Sequence, residues 1–86
     1  MATVQAFEVP GLKMWFWSYV HEPPHLHAKR EGEWEVKVHF LRASREMIEL
    51  VWADKKPQSR LLKELAQLAA EHRLELLEEW EKTHRN

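Results

Sequence analysis

The chain has 86 residues, no cysteine and a formal net charge of −1. The lack of cysteine excludes a disulfide framework and a thiolate metal site, so an apolar core must stabilise what we expect to be a single domain, residues 1–86. The near-zero net charge disfavours nucleic acid as a partner without excluding it. Since no apolar stretch approaches the roughly 20 residues that span a bilayer, and the N-terminus lacks signal-peptide features, we expect a cytoplasmic protein with no membrane contact.

Alternating apolar residues predict β-strands in the first half of the chain. Residues 12–20 are largely apolar on both faces, which is typical of a strand covered on both sides. Residues 34–40 alternate apolar with polar side chains and predict a half-buried antiparallel strand. Residues 47–53 predict a further strand, although this run also fits a helix. One face of that strand would carry three apolar side chains: Ile48, Leu50 and Trp52.

A tight turn at Gly32 is expected to join two of these strands as a hairpin. Pro23 and Pro24 hold the chain in an extended path before residues 25–30, because proline fixes its own φ and disfavours the helical region for the residue before it. Residues 31–33 have the composition of a hairpin turn. The strand at 25–30 and the strand at 34–40 should therefore run antiparallel.

The period of the apolar residues changes after Pro57. Leucines and other apolar residues recur at steps of three and four along residues 57–83, which predicts amphipathic helix. The pattern fits one long helix or two helices that meet near His72. We therefore predict an α+β fold: a small antiparallel sheet of four to five strands in residues 1–54, packed against a C-terminal helix or helix pair in residues 57–83.

Charge is uneven along the helical half of the chain. Residues 54–63 carry four basic side chains against one acid, whereas residues 64–81 are strongly acidic. The simplest interpretation of the first group is a favourable placement of cations around a linker and a helix start. The acidic group is typical of a solvated helix face.

The predicted hairpin gathers titratable side chains on one face of the sheet. A turn centred at Gly32 pairs residues whose numbers add up to about 64, which sets His25 opposite His39 and His27 opposite Lys37. Residues opposed across an antiparallel pair share a face. We therefore expect a polar, titratable surface, the histidine face, behind the apolar core: His25, His27, Lys29, Glu35, Lys37 and His39.

Three functions fit the histidine face, and the sequence leaves them open. Neutral imidazoles bind divalent transition metals, and the candidate ligands are His21, His25, His27 and His39. Alternatively, two histidines exchange protons on a phosphodiester while lysines hold the phosphate. The candidate catalytic residues are then His25, His27, His39, Lys29 and Lys37. The third interpretation is a hydrogen-bonded surface around the Pro23-Pro24 turn that performs no chemistry.

Three aromatic side chains alternate on one face of the strand at 12–20: Trp15, Trp17 and Tyr19. Large apolar rings usually lie in a core. They are also suited to a protein interface or to stacking on bases. These three residues are therefore the candidate partner-binding residues.

Together the motifs resemble a small bacterial domain family of unknown function. Its members share an aromatic strand, a PPHxH element, a glycine turn and a C-terminal helix, and the resemblance extends from Gly11 to Glu81. The element and its approach form a signature loop: His21, Glu22, Pro23, Pro24, His25 and His27. The family is similar to DhiT-like toxins of type II toxin–antitoxin pairs. The resemblance implies a bacterial protein that binds a small cognate antitoxin-like protein, and it implies no particular reaction.

Overall fold

The computed structural model describes residues 1–18 and 23–84 and contains a five-stranded antiparallel sheet followed by two helices. The strands lie in the sheet in chain order: β1 (Ala2–Thr3), β2 (Lys13–Phe16), β3 (Leu26–Arg30), β4 (Trp34–Val38) and β5 (Ile48–Ala53). The other elements are a short 3-10 helix, Ser44–Glu46, and the helices α1 (Ser59–Glu71) and α2 (Arg73–Thr83). The predicted α+β class and the order of sheet and helices are confirmed.

The hairpin between β3 and β4 has the register expected from a turn at Gly32. The Glu33 backbone N–H donates to the Arg30 carbonyl at 2.9 Å. Gly32 has a φ of +77°, a left-handed conformation that glycine adopts without steric cost. Across the hairpin, His27 pairs with Lys37. The predicted register is therefore confirmed.

One face of the sheet packs with the helices to form the core. Its largest fully buried side chains are Trp34, Phe16, Phe40, Leu26, Met47, Leu65, Leu76, Val36 and Val38. Residues 4–9 contribute three more buried side chains that the sequence did not assign to the core: Val4, Phe7 and Val9. Strand β2 is shorter than the predicted strand at 12–20. The described residues Met14, Trp15 and Phe16 are all buried, so β2 is covered on both faces as expected.

The helical segment is a pair of helices that meet at His72. The backbone leaves helical geometry there, with φ −108° and ψ 24°. The guanidinium of Arg73, the first residue of α2, donates to the carbonyls of Phe40 and Arg42, each at 2.7 Å. These bonds fasten the start of α2 to the turn after β4. No helix within residues 1–18 and 23–84 is long and apolar enough to cross a membrane.

Strand β5 contains a β-bulge, and the prediction that Leu50 and Trp52 share one face is wrong. Val36 pairs with Leu50, but the adjacent Glu35 pairs with Trp52, so β5 has one extra residue at this point. An extra residue reverses the alternation of side chains beyond it. Trp52 therefore lies on the same side of the sheet as Glu35, the side of the histidine face.

Candidate functional site: a buried histidine row and an exposed strand edge

Three histidines lie in a row on the side of the sheet opposite the core. His27 belongs to β3, His25 lies two residues before it, and His39 directly follows β4. Alternate residues of a strand share a face, and the hairpin brings the two strands together. The ring centroids of His25 and His27 are 5.1 Å apart, and those of His25 and His39 are 5.4 Å apart. The His25 ring therefore lies between the rings of His27 and His39.

The histidine row is buried, so the prediction that these residues form a polar surface is wrong for the histidines. His25, His27 and His39 expose 5%, 6% and 5% of their surface. Trp15 pairs with His27 across the β2–β3 ladder and stacks on it, with ring centroids 5.4 Å apart. Trp17 packs edge-on against the same imidazole at 6.3 Å. Side chains of β2 and of the residue after it therefore bury His27, and the pairing of β3 with β4 alone does not predict this burial.

Each histidine of the row has one ring nitrogen fixed by an oxygen acceptor. The three hydrogen bonds run from His25 Nδ1 to the Pro23 carbonyl at 2.8 Å, from His27 Nδ1 to Glu35 at 3.1 Å, and from His39 Nε2 to Glu49 at 2.8 Å. Carbonyl and carboxylate oxygens can only accept, so these bonds identify the nitrogen that carries the proton. In a neutral ring the other nitrogen is then an acceptor.

Two of those remaining nitrogens have no hydrogen-bond partner among the described residues. They are Nε2 of His27 and Nδ1 of His39, and both are buried. The indole N–H of Trp15 is likewise buried and unpartnered within the described part of the chain. Leaving a buried polar atom unsatisfied costs about 1–3 kcal/mol. Apolar packing alone therefore does not explain why these polar rings are buried.

Burial favours the neutral form of two rings in the row. Desolvation lowers the pKa of His25 below its usual value, although the bond to the Pro23 carbonyl acts in the opposite direction. Desolvation also lowers the pKa of His27 and outweighs the Glu35 carboxylate, which favours the charged ring. The positive charge of Lys37 adds to both shifts. A neutral imidazole with one anchored nitrogen is suited to accept a proton or to bind a cation.

The two lysines proposed for phosphate binding have different surroundings. Lys29 forms an ion pair with Glu31, with Nζ 3.3 Å from the carboxylate oxygen. Lys37 is half-buried and acts electrostatically on the row. The bond from His39 lowers the pKa of Glu49 below its usual value, and Lys37 acts in the same direction. Lys37 is therefore more closely linked to the row than Lys29.

Several predicted site residues fall outside the described part of the chain. These are His21 and Glu22 of the signature loop and the aromatic residue Tyr19. Of the other two aromatic candidates, Trp15 is buried against the row and Trp17 is half-buried, and their role in partner binding stays a prediction. Within residues 1–18 and 23–84, no group of three or more histidine or acidic side chains is placed to hold a metal ion.

An exposed apolar strand edge is a second feature, which the sequence analysis missed. Strand β5 lies at one end of the sheet, and no described strand pairs with its outer side. Three consecutive side chains, Leu50, Val51 and Trp52, are 54%, 45% and 40% exposed. We call this surface the β5 edge. The sequence does contain a signal for this surface. A half-buried strand should alternate apolar with polar residues, and the run Leu-Val-Trp breaks that alternation with three consecutive apolar residues.

The two edges of the sheet differ in length. Strand β1 has two residues, whereas β5 has six. A long edge strand presents unpaired N–H and C=O groups that can bind another strand, and natural proteins usually protect such edges with charges or bulges. The bulge and Glu49 protect β5 partly, but the apolar side chains between residues 50 and 52 remain accessible.

The molecule is thus a small α+β domain in which a five-stranded meander carries a buried histidine row and an exposed apolar edge. Residues 11–81 match the family described as a domain of unknown function, DUF4160, and the chain belongs to this family. The match includes every strand except β1, so both features lie within the family domain. No curated protein and no solved structure shows a significant match to the chain.

Proposed function

We propose that this protein is the toxin-like, partner-binding component of a toxin–antitoxin type pair, and that its small antitoxin-like partner docks on the β5 edge. The observation that carries the proposal is the exposure of Leu50, Val51 and Trp52 on a strand with no neighbour on its outer side among the described strands. The toxin part of the proposal rests on the resemblance carried by the PPHxH element at Pro23–His27.

Strand addition is the binding mode that this edge fits best. Full burial of a large apolar side chain contributes about 1.5–3 kcal/mol, and the three side chains of the β5 edge are already about half-buried. They can therefore contribute roughly 2–4 kcal/mol in total, which is less than the about 8 kcal/mol of a micromolar complex. Main-chain hydrogen bonds from an added strand must supply part of the remainder.

The alternative function is chemistry at the histidine row, with His25, His27 and His39 either binding a divalent transition metal or exchanging protons on a phosphodiester. The unpartnered ring nitrogens favour this alternative. Their burial counts against it, because a general base must come within about 3 Å of the proton that it removes. Partner binding is therefore the function we favour.

Expression of the chain with and without the adjacent gene tests the proposal. We expect the chain alone to slow growth, and we expect the adjacent protein to relieve this effect and to co-purify. The double variant Val51→Lys/Trp52→Lys should still slow growth but lose both relief and co-purification, because charged side chains oppose burial in the interface. Leu74→Lys is the matched control, since Leu74 is 78% exposed and lies on α2.

Two outcomes decide between the functions. If the wild-type chain fails to bind the adjacent protein, or if the Val51→Lys/Trp52→Lys variant binds it as well as Leu74→Lys does, docking at the β5 edge is refuted. A folded His25→Ala/His27→Ala variant addresses the alternative. Loss of growth inhibition with unchanged partner binding would assign the toxic activity to the histidine row, whereas unchanged inhibition would remove the row from it.

A further inference from the structure

We infer that the partner of the β5 edge is a protein strand with an apolar centre and an acidic end. The acidic end of the partner strand lies beside residues 54–63. This inference rests on the proposed function and names the chemistry of the partner. Residues 54–63 follow β5 directly and carry four exposed basic side chains: Lys55, Lys56, Arg60 and Lys63. We call this group the basic end. The segment has one acidic residue, Asp54.

The four cations of the basic end have no partner of their own in the described part of the chain. None of their side chains forms an ion pair or a hydrogen bond with a residue in 1–18 or 23–84. Some exposed charges elsewhere in the described part of the chain do form ion pairs, such as Glu31 with Lys29 and Glu33 with Arg30. The basic end is therefore available to an external anion.

The start of α1 increases the positive potential of the basic end. The N-cap residue Gln58 makes no side-chain hydrogen bond to the helix, and the first turn contains no acid. The N-terminus of a helix is positively polarised, so Arg60 in the first turn is unfavourable there. Of the four cations, Arg60 alone lies in this first turn, whereas Lys55 and Lys56 precede the helix. An acidic group of the partner beside Arg60 would offset this unfavourable placement.

The opposite end of β5 does not share this charge. Residues 42–49 contain Arg42 and Arg45 against Glu46 and Glu49. Antiparallel pairing of two copies of β5 would set the basic end of one copy beside this balanced end of the other, so a second copy does not neutralise it. A partner strand with an acidic end neutralises the basic end, while the apolar centre of that strand covers residues 50–52.

Fluorescence-labelled synthetic peptides test this inference directly. Each peptide has a valine- and threonine-rich centre and a run of either glutamates or lysines at one end, and both chain directions are used. We expect the full chain to bind a glutamate-ended peptide at least about tenfold more tightly than its lysine-ended counterpart, with an affinity that falls as salt is raised. The variant Lys55→Glu/Lys56→Glu should remove this preference, whereas the control Lys13→Glu, in β2 and away from the β5 edge, should keep it.

The possible results separate this inference from the proposed function. Equal affinity for glutamate-ended and lysine-ended peptides, or failure to bind either, overturns the acidic-strand inference. The proposed function is then still decided separately, by the co-purification experiment. Tight binding of an RNA oligonucleotide that is lost in Lys55→Glu/Lys56→Glu, without peptide binding, identifies a nucleic-acid surface and also overturns it. Formation of a dimer that competes with the glutamate-ended peptide would identify a second copy as the occupant and overturn it too.

Discussion

Mild acid should destabilise this fold through the histidine row. In the unfolded chain a histidine takes up a proton near a pKa of about 6.5. In the folded protein burial lowers the pKa of both His25 and His27. Below pH 6.5 the unfolded state therefore binds more protons than the folded state, and the free energy of unfolding falls as the pH falls. Well above pH 6.5 both states are neutral at these residues, and the contribution is constant.

The size of the effect follows from the burial of the two rings. A histidine that is neutral in the folded state and has an unfolded pKa of about 6.5 lowers the free energy of unfolding by about 1.4 kcal/mol at a pH one unit lower. For His25 and His27 together, the upper limit is about 2.8 kcal/mol, a large part of the about 5–15 kcal/mol typical of a small domain. Glu49 does not contribute in this range, because its lowered pKa lies below the ordinary value of 4.5.

Urea unfolding followed by tryptophan fluorescence between about pH 7.5 and pH 5.5 measures this loss. The variant His25→Phe keeps a buried ring but cannot be protonated, and the Pro23 carbonyl that it leaves belongs to an exposed residue. We expect its loss on acidification to be about half that of the wild type, with about 1.4 kcal/mol as its upper limit. A wild-type free energy of unfolding that stays constant over this range, or an unchanged loss in His25→Phe, would refute the reasoning.

Three substitutions test other parts of the structure, each by chemical denaturation at neutral pH. Trp34→Ala should lower the free energy of unfolding by about 3–5 kcal/mol, because the ring is 1% exposed, and a loss below about 1 kcal/mol would contradict its place in the core. Gly32→Ala should cost about 1–2 kcal/mol through its left-handed backbone, since a Cβ there meets no neighbouring atom; a neutral effect would refute the turn. Arg73→Lys should lower the free energy of unfolding by about 1–3 kcal/mol, because a lysine ammonium lacks the planar guanidinium that donates to the carbonyls of both Phe40 and Arg42. Unchanged stability would show that these bonds contribute little.

The hairpin and the proximity of the three histidines were predictable because both depend on local signals. Gly32 fixes the turn, and the two-residue period of a strand then sets His25 and His27 on the same side as His39. Each of these steps involves residues close in sequence, so the sequence pattern is sufficient to predict the outcome.

The burial of the row was not predictable in the same way. It depends on Trp15, which reaches His27 through the pairing of β2 with β3. The sequence predicts β2 as an aromatic strand but contains no local signal for its register against β3, because the connection between them is longer than a tight turn. A polar pattern on β3 and β4 therefore suggested an exposed surface, whereas tertiary contact produced a buried one.

The β5 edge was missed for a related reason. Strict alternation sets Ile48, Leu50 and Trp52 on one face, and a single bulge moves Trp52 to the other. Nothing in the sequence specifies that a bulge occurs opposite Glu35 and Val36. Edge position is also a property of the whole sheet order, which follows from all the pairings together.

Amide hydrogen exchange of the chain, free and bound to the co-purified product of the adjacent gene, tests docking at the β5 edge most directly. We predict that binding slows exchange at amides within Ile48–Ala53, because an added strand supplies acceptors for N–H groups that now face outward. The opposite edge at Ala2–Thr3 should show no change. Slowed exchange at β1 or on the outer helix faces with none in β5 would contradict the proposed interface.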